Sequence, residues 1–216
     1  MRFDTVLFDL DGTLTDPAIG ITNSIIHSLK KFGISVNDRK ELYFFIGPPL
    51  VDSFMKHCGF SKEKAETAVE YYREYFKDKG LFENSVYSGI PELLQSLKQS
   101  GAKIVLATSK PHIFAEKILK HFDLYKYFDL IVGATLDGTL GEKSDIIAKV
   151  LKELNYTNLT DIAMVGDRKF DIEGAIQNDI TPIGVLYGYG SKEELETAGA
   201  KLIAKDVNEL KKLLND

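Results

Sequence analysis

The sequence predicts an α/β fold: a doubly wound, mostly parallel sheet with an inserted all-helical lobe. Three observations predict it. Short runs rich in Val, Ile and Leu recur along the chain, segments of helical period separate most of them, and one long stretch after the first run carries helix signals with almost no strand signal. At 216 residues the chain is long enough for one good core and a small inserted lobe without disulfide or metal staples.

The apolar runs are TVLFDL, KIVLATS, DLIVGA, DIAMVGD, TPIGVLY and, more weakly, KLIAK, each of a length and composition that suits a buried strand. Between them, Phe114, Ile118 and Phe122 fall at i, i+4, i+8, and Ile147, Val150, Leu151 and Leu154 at i, i+3, i+4, i+7. A parallel pair needs a crossover long enough to hold a helix, so this alternation predicts parallel order with helices on both faces. The stretch from Asp16 to about Lys79 interrupts the pattern. There, Ile21, Ile25, Leu29 and Phe32 line one helical face before Gly33, and AETAVEYYREYFKDKG is a strong helix former ending at Gly80. The tyrosines and phenylalanines of YYREYF fit packing inside this lobe. The expected division is a core of residues 1–15 and 83–216 and a helical lobe of 16–82, hinged at Thr15 to Pro17 and in the turn-rich stretch from Asn84 to Pro91.

With 32 acids against 27 bases the formal net charge is -5, which offers nucleic acid no basic footprint. The single cysteine, Cys58, cannot form an internal disulfide, so no oxidising compartment is required. Acids break the opening run MRFDTVLFDLDG before it reaches signal length, and no later run is long enough to span a bilayer. A cytoplasmic protein without nucleic-acid or membrane partners is expected, its monomeric or dimeric state left open.

The chemistry concentrates at strand ends. FDLDGTLTD sets Asp9 and Asp11 two residues apart where a buried strand stops and Gly12 turns the chain, and that spacing puts both side chains on one side of an extended backbone. Like charges so placed call for a counter-charge such as a metal, or an unusual pKa, unless one of them only caps the turn. Asp167 of GDRKFD stands at a second such strand end, with Asp171 four residues on. Ligands of open α/β sheets bind at the carboxyl ends of the strands near the switch in strand order, where Asp9, Asp11 and Asp167 can converge. Carboxylates and backbone oxygens suit a hard cation such as Mg²⁺.

Two further pieces suit phosphate. Thr108 ends KIVLAT, and SKPHIF opens a helix with Pro111 near its first turn, which joins a hydroxyl to a helix N-terminus; Ser109 competes with Thr108 for that part. Lys143 precedes the helix SDIIAKVLKEL, where a cation opposes the helix dipole unless an anion offsets it; the plainer alternative is an exposed loop lysine. His27, His57, His112 and His121 show no zinc-type spacing, and of these only His112, at a helix start, stands where it could approach a substrate.

Taken in order, Asp9-x-Asp11-Gly12-Thr13, Thr108 after an apolar run, Lys143, and Gly166-Asp167 with Asp171 resemble the four motifs of the haloacid dehalogenase superfamily, over nearly the whole chain. The resemblance implies a Rossmann-like core with a helical cap and a phosphatase acting on a small phosphorylated metabolite. It implies that Asp9 is the nucleophile that carries an aspartyl-phosphate and that Asp11 is the acid and base. It further implies Mg²⁺ held by Asp9, the main-chain carbonyl of Asp11, and Asp167, with Asp171 as a further ligand or just behind. Phosphate would meet Gly12, Thr13, Thr108 or Ser109, Lys110 and Lys143. Cap residues choose the substrate in this family, which makes Gly47-Pro48-Pro49 a candidate selectivity loop. The cap position, TSKP at Thr108 to Pro111 and GVLYGYGS at Gly184 to Ser191 are most similar to phosphoglycolate phosphatase-like members.

Other readings stay open. Nucleotidases and pyrophosphatases share the motifs, and so do phosphomutases of the β-phosphoglucomutase type. A haloacid dehalogenase proper has no use for Asp11, because a halide leaves without a proton. A magnesium-binding module that has lost turnover is the non-enzyme alternative, although every position such a loss would damage still holds a competent residue.

Overall fold

In the computed structural model, which describes residues 2–156 and 158–215, every residue of strand β1 (Thr5–Phe8) is buried. The chain then passes through a two-residue strand β2 (Thr15–Asp16) into helices α1 (Ala18–Lys31), α2 (Leu50–Cys58) and α3 (Lys62–Tyr75). It returns by β3 (Ser85–Val86) and alternates through α4 (Ile90–Gln99), β4 (Lys103–Pro111), α5 (His112–His121), β5 (Leu130–Ala134), α6 (Lys143–Glu153) and β6 (Ile162–Gly166). It ends with α7 (Lys169–Gln177), β7 (Thr181–Val185), α8 (Lys192–Thr197), β8 (Leu202–Ala204) and α9 (Val207–Asn215). Two compact units result, Met1–Asp16 with Val86–Asp216, and Pro17–Ser85.

In the first unit the sheet runs in the order β5-β4-β1-β6-β7-β8, and every pairing is parallel. The order turns at β1: later strands add first on its β4 side and then on its β6 side. The carboxyl end of β1, flanked by those of β4 and β6, is therefore the crevice where such sheets bind ligands. Strand alternation sends Leu7, Val105 and Met164 to one face, where Ile146, Ile147 and Val150 of α6 pack on them. Val6, Phe8 and Leu106, the alternate residues, are fully buried as well. A strand buried on both faces has no room for charge along its length, so the carboxylates of FDLD come at its end.

Two boundaries differ from the sequence expectation. Strand β4 runs on to Pro111, and its register against β5 shifts between Thr108 and Pro111. Helix α5 consequently starts at His112, with Pro111 as its extended N-cap residue (φ -53, ψ 130) rather than inside the first turn. A bulge of this kind depends on the neighbouring strand and leaves no periodic trace. Helix α6 begins on Lys143 itself, with Glu142 before it; Lys143 is 5% exposed, which rules out the loop-lysine alternative.

The second unit is helical throughout. Ile21, Ile25 and Leu29 of α1 form its buried stripe, and α3 buries Ala65, Ala68 and Val69. The small alanines let the helices approach until the Ser28 hydroxyl donates to Ala68 O at 2.7 Å. Ser61 caps α3 by accepting from the Lys64 amide, and a single turn of π-helix, Phe76–Gly80, ends it. From YYREYF, Tyr72 and Phe76 are buried and stacked at 5.1 Å. The tightest approach is at Gly20, whose N–H donates to Glu83 O at 2.8 Å and whose added methyl would stand 1.9 Å from Gly80 O.

Gly20→Ala is expected to lower the free energy of unfolding by about 1–3 kcal/mol, as overpacking does. Gly141→Ala, whose methyl meets nothing within 4 Å, is expected to change it by less than about 0.5 kcal/mol or to raise it slightly. Urea titration followed by circular dichroism reads both, since the chain has no tryptophan. Equal stability of the two variants would show that the helical unit tolerates separation at Gly20.

Candidate active site

Asp9 follows β1 directly, and its amide donates to Val165 O at 3.0 Å, continuing the sheet ladder to β6. The chain then reverses within five residues. Gly12 makes this possible with φ +85, a conformation that L side chains rarely adopt, and it faces Asp167 so closely that a methyl would lie 2.2 Å from Oδ2. From the end of β6, Asp167 is wholly buried, while Asp171 folds its carboxylate over Gly166 at the first turn of α7. There Asp171 Oδ2 accepts from the Arg168 amide at 3.1 Å. One carboxylate oxygen from each of Asp9, Asp167 and Asp171 lies within 4.8 Å of the others.

Two lysines are built into this crowd. Lys143 Nζ stands 2.8 Å from Asp9 Oδ1 and 2.9 Å from Asp171 Oδ1, and it donates to Ala107 O at 3.0 Å. Both carboxylate contacts are buried ion pairs. Lys110 Nζ donates to Asp11 Oδ2 and pairs with it, both side chains largely buried. Asp11 Oδ1 is buried without a hydrogen-bond partner.

Burial raises the Asp11 carboxyl above the ordinary range and Lys110 opposes the rise only in part. Burial, then Asp171, hold Asp167 well up, against a lowering contribution from the Tyr189 amide. Burial likewise raises Asp171 despite Lys143. Lys143 itself is held up, because Asp171 and Asp9 outweigh the desolvation that would lower it. Burial is thus the main reason these carboxyls are held up, and the two lysines relieve it only in part.

The structure gathers Asp9, Asp11, Gly12, Thr13, Thr108, Lys110, Lys143, Asp167 and Asp171 at neighbouring strand ends. It separates the carboxylates into two sets, however: the side chain of Asp11 turns to Lys110 and stands outside the Asp9–Asp167–Asp171 cluster. Thr13 is wholly buried, and its hydroxyl donates toward Asp167 Oδ1 at 3.4 Å. The Thr108 hydroxyl accepts from the Lys110 amide at 3.2 Å, closing the bulge, while Ser109 is half-buried. Gly47 belongs to the helical unit, exposed ahead of α2. His112 lines an open groove of about 510 Å³ against β5 and α6, whereas His27 pairs with Glu74 and His57 stacks on Phe44.

Sequence reasoning noted GVLYGYGS after β7 only as a resemblance and gave it no part beside Asp167. The Tyr189 amide donates to Asp167 Oδ2 at 2.7 Å, and a methyl on Gly188 would stand 2.3 Å from Gly12 O and 2.4 Å from Asp167 Cβ. The available signal was the pair of glycines in YGYG, which marks close backbone approach.

With this geometry in view, comparison with known proteins is decisive for the family. A family model described as haloacid dehalogenase-like hydrolase matches residues 6–185. A 5'-nucleotidase of Pseudomonas aeruginosa is 42% identical over 214 residues, 99% of this chain and 96% of the relative. Tyrosine-protein kinase PtkA of Mycobacterium tuberculosis is 36% identical over 211 residues, 97% of this chain and 72% of the relative. A crystal structure described as a predicted phosphatase from Clostridium acetobutylicum matches with TM-score 0.95 at 52% identity, covering 100% of this chain and 99% of that one. The chain belongs to the haloacid dehalogenase-like hydrolases, and it is an enzyme of their phosphatase kind. Among the described residues no helix is long and apolar enough to cross a membrane.

Gly188→Ala is expected to push Asp167 and the Gly12 turn apart and to lower kcat/KM for phosphomonoester hydrolysis by about 10²-fold, the scale of a misplacement near 1 Å. Its far-ultraviolet dichroism should remain that of the parent. Unchanged kcat/KM would mean that the loop stands clear of the chemistry.

Proposed function

We propose that this chain is a magnesium-dependent phosphatase that hydrolyses a small phosphomonoester through an aspartyl-phosphate on Asp9. The observation that carries the reading is the division of the carboxylates: Asp9 clusters with Asp167 and Asp171, while Asp11, two residues away, is set apart with one oxygen unpartnered.

The residues fit a divalent cation. Three buried carboxylates, Asp9, Asp167 and Asp171, bring one oxygen each to within 4.8 Å of the others, with Lys143 paired to two of them. The ligand atoms are all oxygen, the set of a hard cation, and phosphate chemistry favours Mg²⁺ among these. Asp9, Asp167 and Asp171 would hold it by their carboxylates, and Asp11 by its main-chain carbonyl. When bound, it supplies charge neutralisation at the phosphate oxygens and lets an anionic nucleophile meet an anionic substrate.

The protein's own residues account for the remaining steps. Lys143 fixes Asp9 through Oδ1, leaving the other oxygen for phosphorus. An O–P bond forms from Asp9 as the bond from phosphorus to the leaving oxygen breaks, and Asp11, protonated on Oδ1, gives that oxygen its proton. Burial, which raises the Asp11 carboxyl, favours this protonated form. Asp11 then takes a proton from water, whose oxygen bonds to phosphorus as the Asp9–phosphorus bond breaks, and inorganic phosphate leaves. Lys143 offsets the charge on phosphate throughout.

Nucleoside monophosphates head the substrates to be tried, because the relative at 42% identity is named a 5'-nucleotidase. Phosphoglycolate follows, on the motif resemblance. A panel of both, with sugar phosphates and pyrophosphate, assayed for released phosphate, is expected to show activity that a chelator abolishes and Mg²⁺ restores. Asp9→Asn should lower kcat by at least about 10⁴-fold, and Asp11→Asn by about 10²–10⁴-fold. For each phosphomonoester, phosphate and dephosphorylated product should appear in equal amounts. Full activity in chelator, or in Asp9→Asn, would contradict the reading, and product without free phosphate would indicate transfer to a second substrate.

A further inference from the structure

The loop Tyr187 to Gly190, after β7, meets the nucleophile turn, Asp167 and the core-side ends of both chain crossings. Its Tyr189 amide donates to Asp167 Oδ2, and its Tyr189 hydroxyl donates to Asp16 Oδ1. Asp16 is the last residue of the core unit before the chain leaves for the helical unit. The Tyr187 hydroxyl donates to Thr13 O at 3.1 Å, and the Tyr187 ring meets Tyr87 edge-on at 5.0 Å, one residue past Val86, where the chain re-enters the core unit. Gly188 and Gly190 allow the loop to lie flat: a methyl on Gly190 would stand 1.9 Å from Asp167 O.

We propose that Tyr189 is a positioning residue for Asp167: its hydroxyl, fastened to Asp16, holds its own amide on the Asp167 carboxylate. Glycines on both sides give the loop wide backbone freedom, so Tyr189, like Tyr187 before it, is a point at which it can be fixed. Its two polar ends each meet a carboxylate, and such charge-assisted bonds are the stronger kind. Without the hydroxyl the ring and amide remain, but the loop loses its tether on the Asp16 side. The inference rests on the reading of Asp167 as a ligand of the cation. Partners that orient a ligand from behind change metal affinity by about 10–100-fold, and Tyr189 should fall at the lower end.

The test compares wild type, Tyr189→Phe and Tyr156→Phe. Tyr156 shares a hydrogen bond with Thr5 Oγ1, at the amino end of β1 and away from Asp9, so its variant loses a similar bond without touching the site. Two readouts are taken: Mg²⁺ affinity by calorimetry, and hydrogen exchange of the residue 189 amide in metal-free protein. Tyr189→Phe is expected to weaken Mg²⁺ binding by about tenfold and to speed exchange of that amide, while Tyr156→Phe does neither. Asp16→Asn, which keeps an acceptor for the hydroxyl but removes its charge, should fall between wild type and Tyr189→Phe. Asp16→Leu should likewise speed exchange of the residue 189 amide and weaken Mg²⁺ binding. Wild-type exchange in Tyr189→Phe, or equal changes in Tyr156→Phe, overturns the positioning role. Failure of the wild type to bind Mg²⁺, with exchange still responding to Tyr189→Phe, leaves the tether standing and removes the magnesium reading instead.

Discussion

Four carboxylates lie at the carboxyl end of one parallel sheet with only two ammonium groups among them, and the local backbone is organised around keeping them there. Charge in a buried position is costly unless it is paired or hydrogen-bonded, so each acid is given polar company. Lys143 reaches from the first turn of α6 to two of them, and Lys110 comes off a bulge in β4 to a third. Asp167 takes a hydroxyl and an amide from two different loops. Glycine stands wherever these groups press against main chain, at Gly12, Gly166, Gly188 and Gly190. The oxygens so gathered are the set on which the proposed binding of a divalent cation rests.

The same arrangement separates two tasks that a single aspartate could not perform together. In the proposed mechanism the nucleophile is Asp9, which lies against Lys143. A proton donor must hold a proton, and burial raises the Asp11 carboxyl toward that state. Giving like groups different surroundings is how one fold performs nucleophilic and acid–base chemistry at one pH. Each residue depends on its strand end: an alternating position inside β1 would have buried either carboxylate in hydrocarbon.

Much of this was legible in the sequence. The sheet could be read from runs such as TVLF and AMVG, whose uninterrupted apolar character belongs to strands buried on both faces. Asp9, Asp11 and Asp167 could be read because a carboxylate ending such a run has few structural uses, and Lys143 because its charge opposes its helix. The pairing of Lys110 with Asp11 was not legible. It depends on the register shift after Thr108, which is set by β5 and not by the residues of β4 alone. Nor was the part of Tyr189, which acts through its amide, a group common to nearly every residue, and whose position follows from how β7 pairs with β6. Substrate choice depends on side chains distant in sequence and was legible only as a resemblance.

The central claim is the covalent step on Asp9, and it is tested most directly by trapping. Asp11→Asn should be mixed with p-nitrophenyl phosphate and Mg²⁺, because nitrophenolate leaves without needing a proton while the following attack by water still needs a base. The sample is quenched in acid, reduced with borohydride, which converts an aspartyl-phosphate to homoserine, and digested for peptide mass spectrometry. The account predicts a burst of about one nitrophenolate per enzyme, the sign of an accumulating covalent intermediate, and homoserine at position 9. Steady nitrophenolate release without a burst, or a modified residue elsewhere in the chain, would contradict it.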